Sequence, residues 1–270
     1  MIESEKKITI LSNTHITFQT GEPYLRNRTQ YLSAAVWKRG SREINEDAFC
    51  IWHMMKNQKQ YLLAIVCDGI GGLMEGEQAS SYLVFSLRKK IRQMLLEQPH
   101  AISKKQMKRE LLRELYQIHE TLKDYGRRQR IGIGTTLSFL LIYDKYVFLC
   151  NVGDSRIYTG NRYLKQYGKD DRNRQRALTK AIGRGTYAVS SIKCRHVRKN
   201  QSFLLCSDGF YHTNLTFIQQ KIPRFTSESD IQLKLNKCYA KAVTQKETDN
   251  ITAIFIQQTN RKRKGKKYGK

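Results

Sequence analysis

The alternation of apolar and polar positions changes period several times along the chain, and each change marks an element. Tyr31–Lys38, Asp47–Trp52 and Tyr61–Cys67 are short β-prone runs, and their succession predicts a meander of strands. After a glycine-rich turn the period lengthens. Ala79, Leu83, Leu87 and Ile91 recur at steps of four, predicting a helix over roughly Glu77–Glu97. A second helix is predicted from a Ser103 cap to about Tyr125, because Met107, Leu111, Leu115, Ile118 and Leu122 form one stripe that a sheet can cover. Thr135–Tyr143 and Tyr146–Asn151 are apolar runs joined by Asp144-Lys145, the signature of a tight hairpin. Further strands are expected at Ser155–Thr159, Val189–Val197, Phe203–Cys206 and Ile251–Ile256, with a helix from Ser229 to about Thr244. Between them, Asn161–Gly185 is polar, basic and aperiodic, and reads as a long loop.

Nearly all of this signal lies between Tyr31 and Gln257. The chain therefore divides into an N-terminal extension (1–30) of unassigned role, a domain over 31–258, and a basic tail (259–270) expected to be disordered. The extension holds two β-like stretches, Ile8–Leu11 and His15–Phe18. With 270 residues, of which 40% are hydrophobic, the chain can bury a proper core, which excludes wholesale disorder. Every apolar run is interrupted well before the ~18 residues that a membrane span needs, and the N-terminus does not resemble a signal peptide. A cytoplasmic monomer is expected. Cys50, Cys67, Cys150 and Cys206 fall in or beside apolar strands without Cys-x-x-Cys or zinc spacing, so they read as buried free thiols. Charge adds a further constraint: 49 Lys and Arg against 23 Asp and Glu leave +26, which attracts anionic partners without choosing among them.

In so basic a chain the carboxylates at strand ends stand out. Asp68-Gly69 closes one apolar strand and Asp208-Gly209 another; Asp249-Asn250 precedes Ile251–Ile256, and Asp154 lies between two strands. Singly, Asp-Gly and Asp-Asn are ordinary turn formers. Together they suggest a hard, all-oxygen cation site, which suits Mg²⁺ or Mn²⁺ better than Zn²⁺ and whose like charges call for a metal.

The blocks around these residues resemble the metal-dependent protein phosphatases, the type 2C Ser/Thr phosphatases in their bacterial form. They run Arg42-Glu43-Ile44-Asn45-Glu46-Asp47-Ala48, Val66-Cys67-Asp68-Gly69-Ile70-Gly71-Gly72 with Gly76-Glu77-Gln78-Ala79-Ser80, and Gly134-Thr135-Thr136. They continue, in the family's order, through Asn151-Val152-Gly153-Asp154-Ser155-Arg156, Leu178–Gly183, Leu204–Gly209 and Asp249-Asn250-Ile251-Thr252. The resemblance implies an α+β fold, a four-layer α/β/β/α sandwich around two antiparallel sheets. It implies hydrolysis of phosphoserine and phosphothreonine in proteins by a water bridging two ions, Mn²⁺ or Mg²⁺, with a third held more weakly. Carried over residue by residue, Asp68 bridges the two ions and the Gly69 carbonyl assists. Asp208 and Asp249 complete the other ion, and Asp154 shares the third with Asp208. Glu46 and Asp47 orient water, and Arg42 clamps the phosphate with a fork that Lys cannot reproduce. Phosphorylated proteins, and through them a cognate kinase, are the implied partners. No histidine among His53, His100, His119, His196 and His212 falls in a matched block, so none is assigned as general acid. The chain departs from the family between Tyr158 and Phe203, where Asn161–Arg176 replaces a longer flap. Two alternatives stay open: a catalytically weak pseudophosphatase that binds phosphoproteins, and a basic protein associated with nucleic acid.

Overall fold

A computed structural model describes residues 7–12, 15–16, 19–20, 29–56, 59–71, 74–97, 101–175, 177–189 and 191–260. The tail beyond Asn260, His100 and Phe18 lie outside the described residues, so the expectation of a disordered tail does too. The strands are β1 (Lys7–Ser12), β2 (His15–Ile16), β3 (Gln19–Thr20), β4 (Thr29–Lys38), β5 (Asp47–Lys56), β6 (Lys59–Ile70) and β7 (Gly134–Thr135). They continue as β8 (Leu137–Tyr143), β9 (Tyr146–Val152), β10 (Arg156–Gly160), β11 (Lys165–Tyr167), β12 (Lys193–His196), β13 (Ser202–Cys206) and β14 (Ile251–Asn260). The helices are α1 (Met74–Arg92), continued by a π-helical turn over Gln93–Glu97, α2 (Lys104–Gln129), α3 (Asp208–Thr213), α4 (Leu215–Gln219) and α5 (Glu228–Thr244).

These elements form two antiparallel sheets packed face to face with helices outside each. One sheet runs β12-β9-β8-β6-β5-β1-β2, with β3 on β1 and β7 on β6; the other runs β11-β10-β13-β14-β4. Strand β6 shows how the layers are specified. Leu62, Ala64 and Val66 point inward to meet Phe203, Leu205, Ile254 and Ile256 of the facing sheet. Tyr61, Leu63, Ile65 and Cys67 point outward beneath α1 and α2, among Leu83, Leu87, Leu111 and Leu115. Both faces are buried, so β6 reads as a continuous apolar run instead of an alternating one. On the far side, Ile231, Leu235, Cys238 and Ala242 of α5 pack with Phe210 and Phe217 on Leu204, Ala253 and Phe255. The result is the expected α/β/β/α sandwich.

The helix starts follow capping chemistry. Ser103 Oγ accepts the Gln106 N–H at 3.2 Å, as the sequence predicts. Ser227 and Asp230 form a capping box that starts α5, in which each side chain accepts the other's backbone N–H. The Asp144-Lys145 turn also forms, with Asp144 at φ 56°. Cys50, Cys67, Cys150 and Cys206 are free and buried.

Three expectations change. The first predicted strand does not join a meander: β4 crosses to the second sheet and pairs with β14 over its whole length, from Thr29↔Asn260 to Lys38↔Ile251. The strand expected over Val189–Val197 shrinks to β12, because Val189 and Ile192 are drawn instead into the core beneath the helices. The short helices α3 and α4 follow Asp208, where the sequence suggests only a turn. In the N-terminal extension, β1 pairs antiparallel with β5 from Lys7↔His53 to Leu11↔Phe49. No described helix is long and apolar enough to cross a membrane.

Candidate metal centre

The acidic residues meet at one end of the sandwich, where strand ends and loops from both sheets converge. Asp47 opens β5 and Asp68 closes β6, and the register places them directly opposite each other. Two like charges so placed repel. Asp47 is 1% exposed, and its Oδ2 accepts a hydrogen bond from Ser207 Oγ at 2.9 Å. Ser207 in turn accepts the Thr252 N–H at 3.1 Å, locking the carboxylate to β14. Burial pushes the Asp47 pKa up to about 7, against the pull of the Thr252 and Ser207 hydroxyls, with Asp208 and Asp249 adding repulsion. Asp68 is held well above the ordinary carboxylate range, first by burial and then by Asp47, Asp208, Asp154 and Asp249.

The backbone beneath Asp68 is fixed by the Gly134-Thr135-Thr136 block. Its N–H donates to Thr136 Oγ1 at 2.9 Å, and its carbonyl accepts from the Thr136 N–H at 2.8 Å and from Thr135 Oγ1 at 3.0 Å. Gly69 donates to the Glu46 carbonyl at 3.1 Å. A Cβ at Gly69 would lie 2.1 Å from the Gly76 carbonyl oxygen, so only glycine lets α1 begin this close to β6. The Glu46 carbonyl also accepts the Ser80 hydroxyl at 2.6 Å. Its Oε1 is buried with no hydrogen-bond partner among the described residues, and burial raises its pKa against the opposing charge of Arg42.

The other carboxylates hang from loops and from a helix start. Asp208 is the first residue of α3, and Gly209 lets that turn press onto the Asn250 carbonyl, where a Cβ would sit at 2.3 Å. Burial raises the Asp208 pKa and Asp249 and Asp154 raise it further, while His212 and Arg172 oppose the shift. Asn250 braces the loop: Nδ2 donates to the carbonyls of Arg39 and Ile44 at 2.7 and 3.1 Å, and Oδ1 accepts the Glu46 N–H at 2.9 Å. Asp249 pairs with Arg42 at 3.2 Å. Asp154 follows Gly153, whose φ of +96° and contact with Thr136 leave no room for a side chain.

All eight residues singled out in the sequence (Arg42, Glu46, Asp47, Asp68, Gly69, Asp154, Asp208 and Asp249) thus fall in this one region. Their donors are oxygens, one carboxylate oxygen of Glu46 is buried against Gly76 without a hydrogen-bond partner among the described residues, and proton affinity is raised at four of the carboxylates. Those properties fit hard divalent cations. Among the described residues no three His, Cys, Asp or Glu side chains form a ready-closed cage; the acids approach as pairs, separated or bridged by arginine. Sequence reasoning missed Arg172, which contacts both Asp154 and Asp208. It also missed Asp170, which takes Arg156 in a fork at 2.7 to 3.1 Å. The signal was the Asp170-Asp171 pair inside an otherwise basic stretch. The described histidines lie elsewhere or at the margin: His53 bonds Ser33 at 2.6 Å, His119 is buried and accepts the Gly183 N–H at 3.0 Å, His196 packs at a tilt against Tyr146, and His212 meets Tyr211 edge to face.

A two-sheet sandwich with carboxylates gathered at its rim defines a class of phosphate-ester hydrolases, and comparison with known proteins places the chain within it. The chain belongs to the protein phosphatase 2C family, whose profile matches residues 38–242. It is 25% identical over 240 residues to a protein named serine/threonine phosphatase stp from Listeria welshimeri, covering 80% of this chain and 91% of that one. A putative protein phosphatase of Mycoplasma pneumoniae is 26% identical over 260 residues, covering 84% and 96% of the two chains. Among solved structures, PppA, described as a regulatory component of the type VI secretion system of Pseudomonas aeruginosa, superposes with a TM-score of 0.64 at 26% identity, covering 85% and 98%. The catalytic domain of PstP, solved with 2 manganese ions, shares the fold at a TM-score of 0.64 and 23% identity, covering 86% and 100%.

Proposed function

We propose that this protein phosphatase removes phosphate from phosphoserine and phosphothreonine side chains of proteins, using two divalent cations, Mn²⁺ or Mg²⁺, held by Asp68, the Gly69 carbonyl, Asp208 and Asp249. The observation that carries the proposal is the mutual crowding of carboxylates from separate strands, a helix start and loops. Asp47, Asp208, Asp154 and Asp249 all raise the proton affinity of Asp68, a cost that bound cations would turn into affinity. Divalent cations held by these residues would supply charge to neutralise the phosphate dianion and to acidify a water. Asp47 and Glu46 stand behind the ligands. Asp47 is tied down by Ser207, while burial raises the proton affinity of Glu46.

Arg42 reaches the rim with its side chain 52% exposed. From there its guanidinium can leave Asp249 and fork onto two phosphate oxygens of an incoming phosphoprotein. The surplus of positive charge (49 basic against 23 acidic residues) would favour the approach of phosphorylated, acidic segments. Buried free thiols suit a reducing cytoplasm, where the enzyme would act opposite a Ser/Thr kinase. The test is hydrolysis of p-nitrophenyl phosphate and of a phosphothreonine peptide with Mn²⁺ or with EDTA, beside Asp208→Asn. Turnover that needs Mn²⁺ and is lost in the variant is expected; turnover unchanged by EDTA would sink the metal mechanism.

A further inference from the structure

Asp154 and Asp208 are the carboxylates from which a third, weaker cation site would be built, and a side chain already stands between them. A single nitrogen of Arg172, Nη2, lies 2.5 Å from Asp154 Oδ2 and 2.9 Å from Asp208 Oδ2. We propose that in this chain the Arg172 guanidinium serves as a tethered cation in place of a third metal ion, so that the enzyme works with the two principal ions alone. The inference rests on the phosphatase reading above.

The placement is built into the loop. Asp171, immediately before Arg172, exchanges hydrogen bonds with Gly153, immediately before Asp154: the Asp171 N–H donates to the Gly153 carbonyl and the Gly153 N–H to Asp171 Oδ2, both at 3.0 Å. The Thr179 N–H and hydroxyl both donate to the Asp171 carbonyl, at 2.7 and 2.8 Å. The loop then closes on itself, with Asn173 and Ala177 bonded in both directions at 2.9 Å. These bonds leave Arg172 one residue away from a fixed anchor and directly beside Asp154. The three partners are sheltered, with side chains 25% exposed at Arg172, 9% at Asp154 and 15% at Asp208. A charge there is screened less than on the open surface.

Chemistry separates this arrangement from a free ion. Arginine stays protonated at any physiological pH, so the positive charge cannot be lost by dilution or chelation. It carries one charge where Mg²⁺ or Mn²⁺ carries two, and it cannot acidify a water. Its role is therefore one of positioning: it holds Asp208 by one oxygen while that residue's other oxygen remains for the principal ions. A flap that is short and rich in arginine is then a replacement for a metal site instead of a loss.

The test counts ions. Mn²⁺ binding is measured by calorimetry and by electron paramagnetic resonance on the full chain, on Arg172→Met, which keeps the aliphatic stem, and on Arg172→Lys, which keeps a charge. Thermal melting confirms that each variant folds. Arg172→Met is expected to bind one more Mn²⁺ per chain than the unmodified protein, and adding Asp154→Asn to it should remove that ion again. Arg172→Lys should bind the same number as the unmodified protein. Turnover of Arg172→Met should fall about tenfold at Mn²⁺ levels that saturate the principal sites and recover as the extra site fills. Equal ion counts on all chains, or an extra ion that survives Asp154→Asn, would overturn the inference while leaving the two-cation reading intact. Absence of Mn²⁺ binding on every chain would overturn both.

Discussion

The two halves of the acidic cluster are built on opposite plans. Asp47 and Asp68 belong to neighbouring strands, face each other by sheet register, and carry no cationic partner among the described residues closer than the rim. Asp208 and Asp249 belong to a helix start and a loop, and each meets an arginine: Arg172 at 2.9 Å and Arg42 at 3.2 Å. The strand half is fixed by sheet register and electrostatically unsatisfied, a repulsion that divalent cations would relieve. The loop half is partly neutralised by its arginines. Register sets where the charge must be; the arginines set how much of it is left to bind.

The largest effect that would test this division comes from the strand half. Asp68→Asn should lower turnover by about 10²- to 10³-fold, the scale of losing a preorganised electrostatic group. It should also raise the melting temperature of the metal-free protein, because one source of repulsion disappears. A variant that keeps more than a tenth of its turnover would show that the two halves share the load equally.

The next effect is on stability against pH. Asp47 has its pKa raised in the fold from the ordinary 3.8 to about 7, so the native state holds a proton that the unfolded chain releases. Its contribution is fully present below about pH 4 and is lost as pH rises toward and through 7. In EDTA, the stability of the unmodified protein relative to Asp47→Asn should therefore fall between pH 4 and pH 8, by on the order of a few kcal/mol. Denaturant melts of both chains across that range check the sign; a difference independent of pH would mean that Asp47 is ionised in the metal-free fold.

The smallest effect belongs to the loop half. Arg42→Lys should raise KM for a phosphopeptide about tenfold, roughly 1.4 kcal/mol, with kcat changed far less, since a Lys offers a charge but no planar fork. Initial-rate kinetics separate the two terms. A loss confined to kcat would place Arg42 in the chemical step instead of in phosphate binding.

Both halves were legible in the sequence wherever a carboxylate closes or precedes an apolar run. Asp68 and Asp208 were visible because an apolar run that ends abruptly in Asp-Gly is seldom a mere turn when several such runs share one chain, and Asp249 because Asp-Asn precedes another such run. The stripe of Met107, Leu111, Leu115, Ile118 and Leu122 announced α2, and its side chains are buried as expected. What stayed hidden depended on distant partners. Nothing near Tyr31 indicates that β4 leaves its neighbours for β14, because both candidate sheets offer the same apolar environment to either face. Helix α3 spans only Asp208–Thr213, too short for a period to show. Arg172 looked like any arginine of a solvated loop until the fold brought Asp154 and Asp208 to it.

The pairing of β4 with β14 has a consequence for the time course of synthesis. Thr29–Lys38 must wait for Ile251–Asn260 before it can complete its edge of the sheet, and Arg42 and Asp249, 207 positions apart, can meet only then. Contacts this distant along the chain form late and slowly. Until β14 is in place, the fold can hold Asp47 and Asp68 side by side but cannot bring Arg42 to Asp249. A variant truncated before Ile251 is therefore expected to lack turnover, which a phosphatase assay on the fragment checks.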